Sequence, residues 1–336
     1  MACKGEPARV YEKREYTKLR GTSQRSLEGS RIPTRKRREL SSYRLNLKYS
    51  FFMFSPDLLK QRVFLITGGA SGLGLAMAKR MLSLGARVAI CGRNGERLEA
   101  AQKELATTIE TAKGYVCDVR DFDAVGQMVQ QITADFGSLD SLINNAAGNF
   151  LCPSEELSPN AFRSIVDIVL HGTFNCTQHV GRALISSGRP GVILNIVTTY
   201  IEPGSSFVLP SACAKAGVSA MTNTLAYEWA TYGIRVNSIA PGPFPTEGAW
   251  SRLVQDKKFE NILEKRVPLG RFGNPEELAN LAAFLMSDLA AYITGESVTI
   301  DGGERLNAGQ FNFITQMMPR EDLKKLFRTA RGKGGE

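Results

Sequence analysis

Val63-Phe64-Leu65-Ile66-Thr67-Gly68-Gly69-Ala70-Ser71-Gly72-Leu73-Gly74 reads as a strand-length apolar run, a glycine-rich turn and the opening of a helix, in that order. An apolar run without polar alternation suits a strand buried on both faces. Glycines at 68, 72 and 74 let the backbone turn tightly and approach a diphosphate. The free N–H groups and dipole at the helix start would meet that charge. A glycine-rich turn alone is unspecific. Between a strand and a helix, it predicts a dinucleotide-binding turn built from Thr67, Gly68, Ser71, Gly72, Leu73 and Gly74.

Outward from this turn, apolar runs of strand length alternate with helical patterns about six times. Strands are expected at 63–67, 87–91, 114–117, 141–144, 192–197, 235–239 and 297–300, with helices near 73–84, 95–110, 121–136, 159–187, 211–231 and 275–287. Such alternation predicts an α/β fold, a doubly wound parallel sheet of Rossmann type in a single domain. Two segments break the rhythm. Residues 242–272 follow the sixth strand, with Pro241-Gly242-Pro243 at the junction and a helical stretch over 248–265, an insertion expected to act as a mobile lid beyond the sheet's carboxyl edge. Residues 303–336 end in Arg331-Gly332-Lys333-Gly334-Gly335 and are expected to fray. The predicted organisation is a leader over 1–52, the Rossmann domain over 53–305 and a C-terminal extension over 306–336.

In this chain of 336 residues, 43% are hydrophobic, enough for a sizeable core. Charge is unevenly placed. Residues 1–52 hold fourteen Lys/Arg and five Asp/Glu, a surplus as large as the whole chain's +9. The rest is balanced at 28 of each sign, which gives nucleic-acid binding by the folded body little support. The leader has sparse apolar residues, no helical period and the basic run Arg35-Lys36-Arg37-Arg38, so a disordered basic extension is expected. Three origins stay open: a transit peptide, against which Glu6, Glu12, Glu15, Glu28 and Glu39 count; a solvated regulatory tail; or a start assigned too early, with Met53 as the first residue. The last is favoured because the first strand begins about ten residues beyond Met53. The expected location is cytoplasmic, or the mitochondrial matrix if the leader is a transit peptide.

No apolar run approaches the ~20 residues that a membrane span needs. Cys3, Cys91, Cys117, Cys152, Cys176 and Cys213 lack CxxC spacing and are expected to be free thiols in a reducing compartment. His171 and His179, the only histidines, fall within a predicted helix and are read as ordinary helix residues, leaving no parts for a zinc site or a Ser-His-Asp triad. The end of the second strand is more telling. An acidic residue there would bind the ribose 2′-hydroxyl of NAD, whereas Cys91-Gly92-Arg93-Asn94 offers the Arg93 guanidinium to a 2′-phosphate. NADPH is therefore the expected cofactor.

Thr67–Gly74, Asp118-Val119, Asn144-Asn145-Ala146-Ala147-Gly148, Lys215, Asn237 with Pro241-Gly242, and Asp301-Gly302-Gly303 resemble the short-chain dehydrogenase/reductase pattern across residues 60–305. The resemblance implies one Rossmann domain holding a nicotinamide dinucleotide, usually within a homotetramer. Asp118, Val119, Asn145, Ala146, Lys215, Pro241 and Gly242 join the cofactor contacts on this basis. Two positions depart from the pattern: Ser211 stands where the tyrosine four residues before the lysine belongs, and Val169 where a helix asparagine belongs. A serine hydroxyl is a far weaker acid than a phenol, so Ser211 cannot easily protonate the alkoxide of a reduced ketone. A phenol reappears at Tyr200.

A narrower likeness accounts for both departures. Asn144–Phe150, Leu157-Ser158-Pro159-Asn160-Ala161, Asp167–Gly172, Thr199-Tyr200, Pro210–Gly217, Pro275–Leu285 and Gly309-Gln310-Phe311-Asn312 resemble the mitochondrial type of 2,4-dienoyl-CoA reductase. In that family the tyrosine eleven residues before the serine is catalytic, with the asparagine after NNAAG and the serine-lysine pair. These roles fall on Tyr200, Asn149, Ser211 and Lys215. The resemblance implies NADPH-dependent reduction of a 2,4-dienoyl-CoA, an acyl-CoA thioester, to a trans-3-enoyl-CoA in β-oxidation of unsaturated fatty acids. Two other readings stay open: a trans-2-enoyl-CoA reductase or another short-chain oxidoreductase, and a non-enzymatic dinucleotide-binding protein. Ser211 could instead cap the helix after Pro210, and Tyr200 could be a buried strand-end residue. Arg252, Lys257 and Lys258 could meet CoA phosphates or form a solvated helix face.

Overall fold

The computed structural model describes residues 54–105, 111–246, 250 and 256–332, so the leader expected over 1–52 lies outside the described residues. The apolar runs become strands. β1 (Val63–Thr67) and β5 (Gly191–Ile196) are buried at every position. With β2 (Arg87–Gly92), β3 (Ala112–Val116), β4 (Ser141–Asn144), β6 (Ile234–Pro241) and β7 (Ser297–Ile300) they make one seven-stranded sheet in the order β3-β2-β1-β4-β5-β6-β7. Every neighbouring pair is parallel. The order reverses between β1 and β4, and such a switch point leaves a crevice at the strands' carboxyl ends.

The helices are α1 (Gly72–Ser83), α2 (Gly95–Leu105), α3 (Phe122–Phe136), α4 (Pro159–Val166), α5 (Gly172–Ser186), α6 (Leu209–Glu228), α7 (Lys257–Arg266), α8 (Pro275–Met286), α9 (Ile314–Met317) and α10 (Arg320–Gly332). Side chains alternate across a strand, so β1 feeds two cores. Phe64 and Ile66 pack with Met77 and Met81 of α1 and Leu278 and Met286 of α8. Val63 and Leu65 pack on the other face with Val125 and Ile132 of α3 and Val180 and Leu184 of α5. A chain of buried amides and hydroxyls fastens the middle of the sheet to its helices. Asn144 Nδ2 donates to Thr177 Oγ1 at 2.8 Å and to Asn195 Oδ1 at 2.9 Å, and Asn195 Nδ2 donates to Thr222 Oγ1 at 2.8 Å. Among the described residues, no helix is long and apolar enough to cross a membrane.

The structure departs from the sequence reading at several element ends. β3 begins at Ala112, two residues before the expected start. The helix expected over 95–110 is described as far as Leu105, and 106–110 lie outside the described residues. The helix expected over 211–231 already begins at Leu209, because Pro210 sits in its first turn, where a missing N–H costs nothing. The single helix expected over 159–187 is interrupted: α4 runs into a π-helical turn at Asp167–His171 before α5. There the Gly172 N–H bonds to the Asp167 carbonyl, and the Thr173 hydroxyl donates to the Val169 carbonyl at 2.6 Å. Such an inserted residue often marks a functional segment. Of the inserted helix expected over 248–265, α7 is the described part, since 247–249 and 251–255 lie outside the described residues. The expectation of a fraying C-terminal segment is overturned over 320–332. α10 forms there with Leu323 buried, and Leu323, Leu326 and Phe327 follow the i, i+3, i+4 spacing of an amphipathic helix.

Candidate functional site

A cleft of about 430 Å³ opens at the carboxyl ends of β1, β2 and β4. Its floor is the glycine turn. Gly68 and Gly72 have φ of +64° and +54°, a region that strains any residue with a Cβ. A Cβ on Gly74 would lie 2.4 Å from the Gly68 carbonyl oxygen and 2.6 Å from Asn145 Nδ2. At the start of α1 the extended Ser71 makes no side-chain cap bond, and the first turn carries no acidic residue. Backbone N–H groups at a helix start are thus left for an anion, which fits a dinucleotide diphosphate.

Of the residues expected to touch cofactor, Gly68, Ser71, Gly72, Leu73, Arg93, Asp118, Val119, Asn145, Ala146 and Lys215 line this cleft. Thr67, Gly74, Pro241 and Gly242 do not reach its lining. Thr67 is buried and accepts through Oγ1 from the amides of Asn145 and Ala146 at 3.0 and 2.9 Å. Asn145 Nδ2 returns a bond to the Thr67 carbonyl at 3.0 Å, so the ends of β1 and β4 are stitched together beneath the turn. Gly242 packs on Asp301, whose Cβ would sit 2.6 Å from an added Cβ. Arg93 is exposed at the rim beyond β2. Asp118 is gripped by Arg120, with Nη2 2.5 Å from Oδ2 and Nε 3.0 Å from Oδ1, and that guanidinium holds its carboxyl below the ordinary range.

Deeper along the crevice, Tyr200, Asn149, Ser211 and Lys215 come together. Tyr200 follows β5 and stays half-buried; Ser211 and Lys215, four apart on α6, are 3% and 7% exposed and so share its inward face. Tyr200 Oη lies 3.0 Å from Ser211 Oγ and receives a bond from Asn149 Nδ2 at 3.4 Å. The Asn149 carboxamide is oriented by its other end, because Oδ1 accepts the Phe150 N–H at 3.0 Å. Ser211 lies inside α6 and does not cap it; Val208 occupies that position. Val169 is fully buried beneath the site with Ile165, Val197 and Val218, apolar where the broader pattern has an amide.

Lys215 Nζ donates to the Ile196 carbonyl at the end of β5. Burial pulls its ammonium down to about 8, since a low-dielectric setting disfavours the charged form. Cys91 and Cys117 also border the cleft, but burial pushes Cys117 up to about 11 and Cys91 higher, so both stay neutral and inert. His171 sits 3.0 Å from Asp167 at the surface and His179 packs on the Phe122 ring. Lys257 is engaged by Glu260 at 2.6 Å within its own helix, the Lys258 N–H donates to the Asp256 carboxylate that caps α7, and Arg252 lies outside the described residues.

Sequence reading missed Arg97, Ile168 and Thr246 in the cleft wall and the Arg120 clasp on Asp118. Arg97 lies four residues after Arg93 on the helix that follows, a spacing that could have flagged it. Thr246 reaches the glycine turn from the far side of the sheet order, with Oγ1 3.3 Å from a Cβ built on Gly72, and nothing local announces it.

The family model described as enoyl-(acyl carrier protein) reductase matches residues 68–304. A Bacillus subtilis protein named probable 2,4-dienoyl-CoA reductase, (2E)-enoyl-CoA-producing, is 47% identical over 254 residues, 75% of this chain and 100% of its own. A Caenorhabditis elegans protein named probable 2,4-dienoyl-CoA reductase 3, (3E)-enoyl-CoA-producing, is 43% identical over 252 residues, 74% of this chain and 81% of its own. Among solved structures, a gluconate 5-dehydrogenase from Burkholderia cenocepacia in complex with NADP and tartrate matches with a TM-score of 0.70 at 33% identity, covering 74% of this chain and 97% of that one.

Proposed function

Because this chain belongs to the short-chain dehydrogenase/reductase family, we propose that it reduces 2,4-dienoyl-CoA thioesters with NADPH in the β-oxidation of unsaturated fatty acids. The observation that carries this reading is the meeting of Tyr200 Oη with Asn149 Nδ2 at 3.4 Å and Ser211 Oγ at 3.0 Å beside Lys215. Gly68, Ser71, Gly72 and Leu73 would hold the diphosphate, Arg93 the 2′-phosphate, and Asp118, Val119, Asn145 and Ala146 the adenosine side and middle of the dinucleotide. Thr67, Gly74, Pro241 and Gly242 would shape that cradle from behind. The reduced nicotinamide supplies the hydride.

Adding hydride to the far end of the conjugated dienoyl group drives an electron pair through both double bonds onto the thioester oxygen. Tyr200 and Asn149 present an O–H and an N–H to that one oxygen, and such preorganised donors stabilise charge most where water is excluded. Ser211 then donates to Tyr200 Oη, which frees the phenol proton for the substrate. Lys215 would bind the nicotinamide ribose hydroxyls and, as a buried cation, would favour the anionic dienolate. The oxygen need not be protonated, so a hydrogen-bonding phenol at Tyr200 suffices with a serine at 211, the position where ketone reduction in the broader pattern uses a tyrosine. A proton taken up at C2, the carbon next to the thioester carbonyl, yields the trans-3-enoyl thioester; one taken up at C4 yields the 2-enoyl thioester. The first outcome is the one proposed. The second is the product named for the Bacillus relative.

Full-length protein mixed with NADPH and 2,4-hexadienoyl-CoA is expected to oxidise the cofactor and give 3-hexenoyl-CoA, read by proton NMR. NADH should serve poorly. Oxidation with 2-hexenoyl-CoA alone would replace this function by enoyl-CoA reduction, and tight NADPH binding with turnover of neither thioester would leave a non-enzymatic dinucleotide-binding protein. A homotetramer belongs to the same proposal, and light scattering at four chain masses is the expected result.

A further inference from the structure

We propose that Phe207 sets the enzyme's discrimination between long and short acyl chains, its ring forming an apolar lip with Leu151 and Leu209 beside Tyr200, Asn149 and Ser211; this rests on the thioester reading above. Among the described residues only Gln61 and Phe207 adopt positive φ without being glycine, and Phe207 stands at +68°. A bulky residue rarely holds that conformation, and where it does, the surrounding structure imposes it, often at a ligand site. Here the imposing contact is visible. The Cys152 N–H donates to the Phe207 carbonyl at 2.9 Å, tying the loop after Asn149 to the loop between Tyr200 and Ser211.

The consequence is an unusual distribution of apolar surface. Phe207 is 54% exposed, Leu151 53% and Leu209 42%, all within four residues of Asn149 or Ser211. The intervening loop residues Glu202 to Ser206 are exposed and mainly polar, so the apolar side chains gather at the helix end of the loop, next to the site. Single exposed apolar residues are ordinary. Three flanking one set of hydrogen-bond donors, with Phe207 tied through its carbonyl to Cys152, the residue after Leu151, form a patch of the kind that marks a binding surface. The matching occupant is the hydrocarbon tail of the thioester, which must leave the site on the side away from the dinucleotide once its carbonyl is seated on Tyr200 and Asn149. A short tail ends inside the crevice and a long one crosses the lip.

The test compares the full chain with Phe207→Gly, which keeps the left-handed backbone without strain and deletes the whole benzyl side chain, and with Phe207→Leu, which restores apolar bulk. The readout is the ratio of kcat/KM for 2,4-decadienoyl-CoA to that for 2,4-hexadienoyl-CoA. Losing contact with about two methylenes should lower the ratio roughly tenfold in Phe207→Gly, with most of it recovered in Phe207→Leu. Calorimetric Kd values for decanoyl-CoA against butyryl-CoA on the NADP⁺-bound protein should shift in the same ratio without any turnover. If the wild type reduces neither dienoyl thioester while the Kd ratio still falls, the reductase reading fails and the lip stands. A ratio unchanged within twofold in both measurements, an equal loss at both lengths, or a change only in oligomer mass by light scattering overturns the proposal.

Discussion

At the phosphate end of the cleft a Cβ on Gly74 would press to 2.4 Å from a backbone oxygen, whereas at the thioester end Asn149 and Ser211 bring side-chain atoms within 3.4 Å of the Tyr200 hydroxyl. The first region is made by leaving atoms out, so that bare backbone can face an anion at a helix start. The second is made by adding polar atoms to a frame whose shape does not depend on them. Addition should therefore damage the first and deletion the second, and the two failures should look different: lost cofactor affinity in one case, lost chemistry in the other.

Tyr200→Phe is the sharpest way to break this division. Removing one of two oxyanion donors should lower kcat about 10²–10³-fold. NADPH affinity, read by fluorescence quenching, should stay within twofold, since Tyr200 does not line the dinucleotide cleft. A large loss of NADPH binding instead would mean that the two ends are not separable. Gly74→Ala should produce the mirror image with a smaller effect. The added methyl meets the Gly68 carbonyl and Asn145 Nδ2, and backbone must move. Forced overpacking costs about 1–3 kcal/mol, so a Kd for NADPH weakened by roughly thirtyfold and a Tm lowered by several degrees are expected. An alanine variant with wild-type affinity would remove the steric account of that glycine.

The same contrast explains what could be read from the residues alone. The glycine turn was legible because missing side chains leave a compositional mark, and the strands because fully buried runs such as Val63–Thr67 are apolar throughout. Asp118-Val119 and Asn145-Ala146 also fell on the cleft, yet what they do there depends on contacts across long stretches of chain, such as Asn175 Nδ2 on the Val119 carbonyl at 2.9 Å. Tyr200 and Asn149, 51 positions apart, could be paired only through a family likeness; their geometry comes from two loops joined at Cys152 and Phe207. The π-helical turn at Asp167–His171 left no trace in the periodicity, since one inserted residue shifts the phase of a helix without ending it. α10 was missed for a different reason: its apolar stripe is short and its glycine- and lysine-rich end dominates the composition.

Lys215 joins the two regions, lining the dinucleotide cleft while sharing a helix face with Ser211, and it gives the mildest test. Burial holds its ammonium near 8, so the cation is complete below that value and is lost as pH rises through it. The kcat/KM for NADPH, which reports the free enzyme, should be level below pH about 8 and fall roughly tenfold by about 9, while Lys215→Met shows a lower profile without that limb. Stability should move the opposite way. The unfolded chain keeps this proton up to the ordinary lysine value of 10.5, so between about 8 and 10.5 it binds more protons than the native state, and Lys215's share of the folding free energy grows with pH. Urea melts of wild type against Lys215→Met at either side of this window would reveal that gain, and a wild type whose activity and relative stability fell together would show that the buried lysine is not the group being titrated.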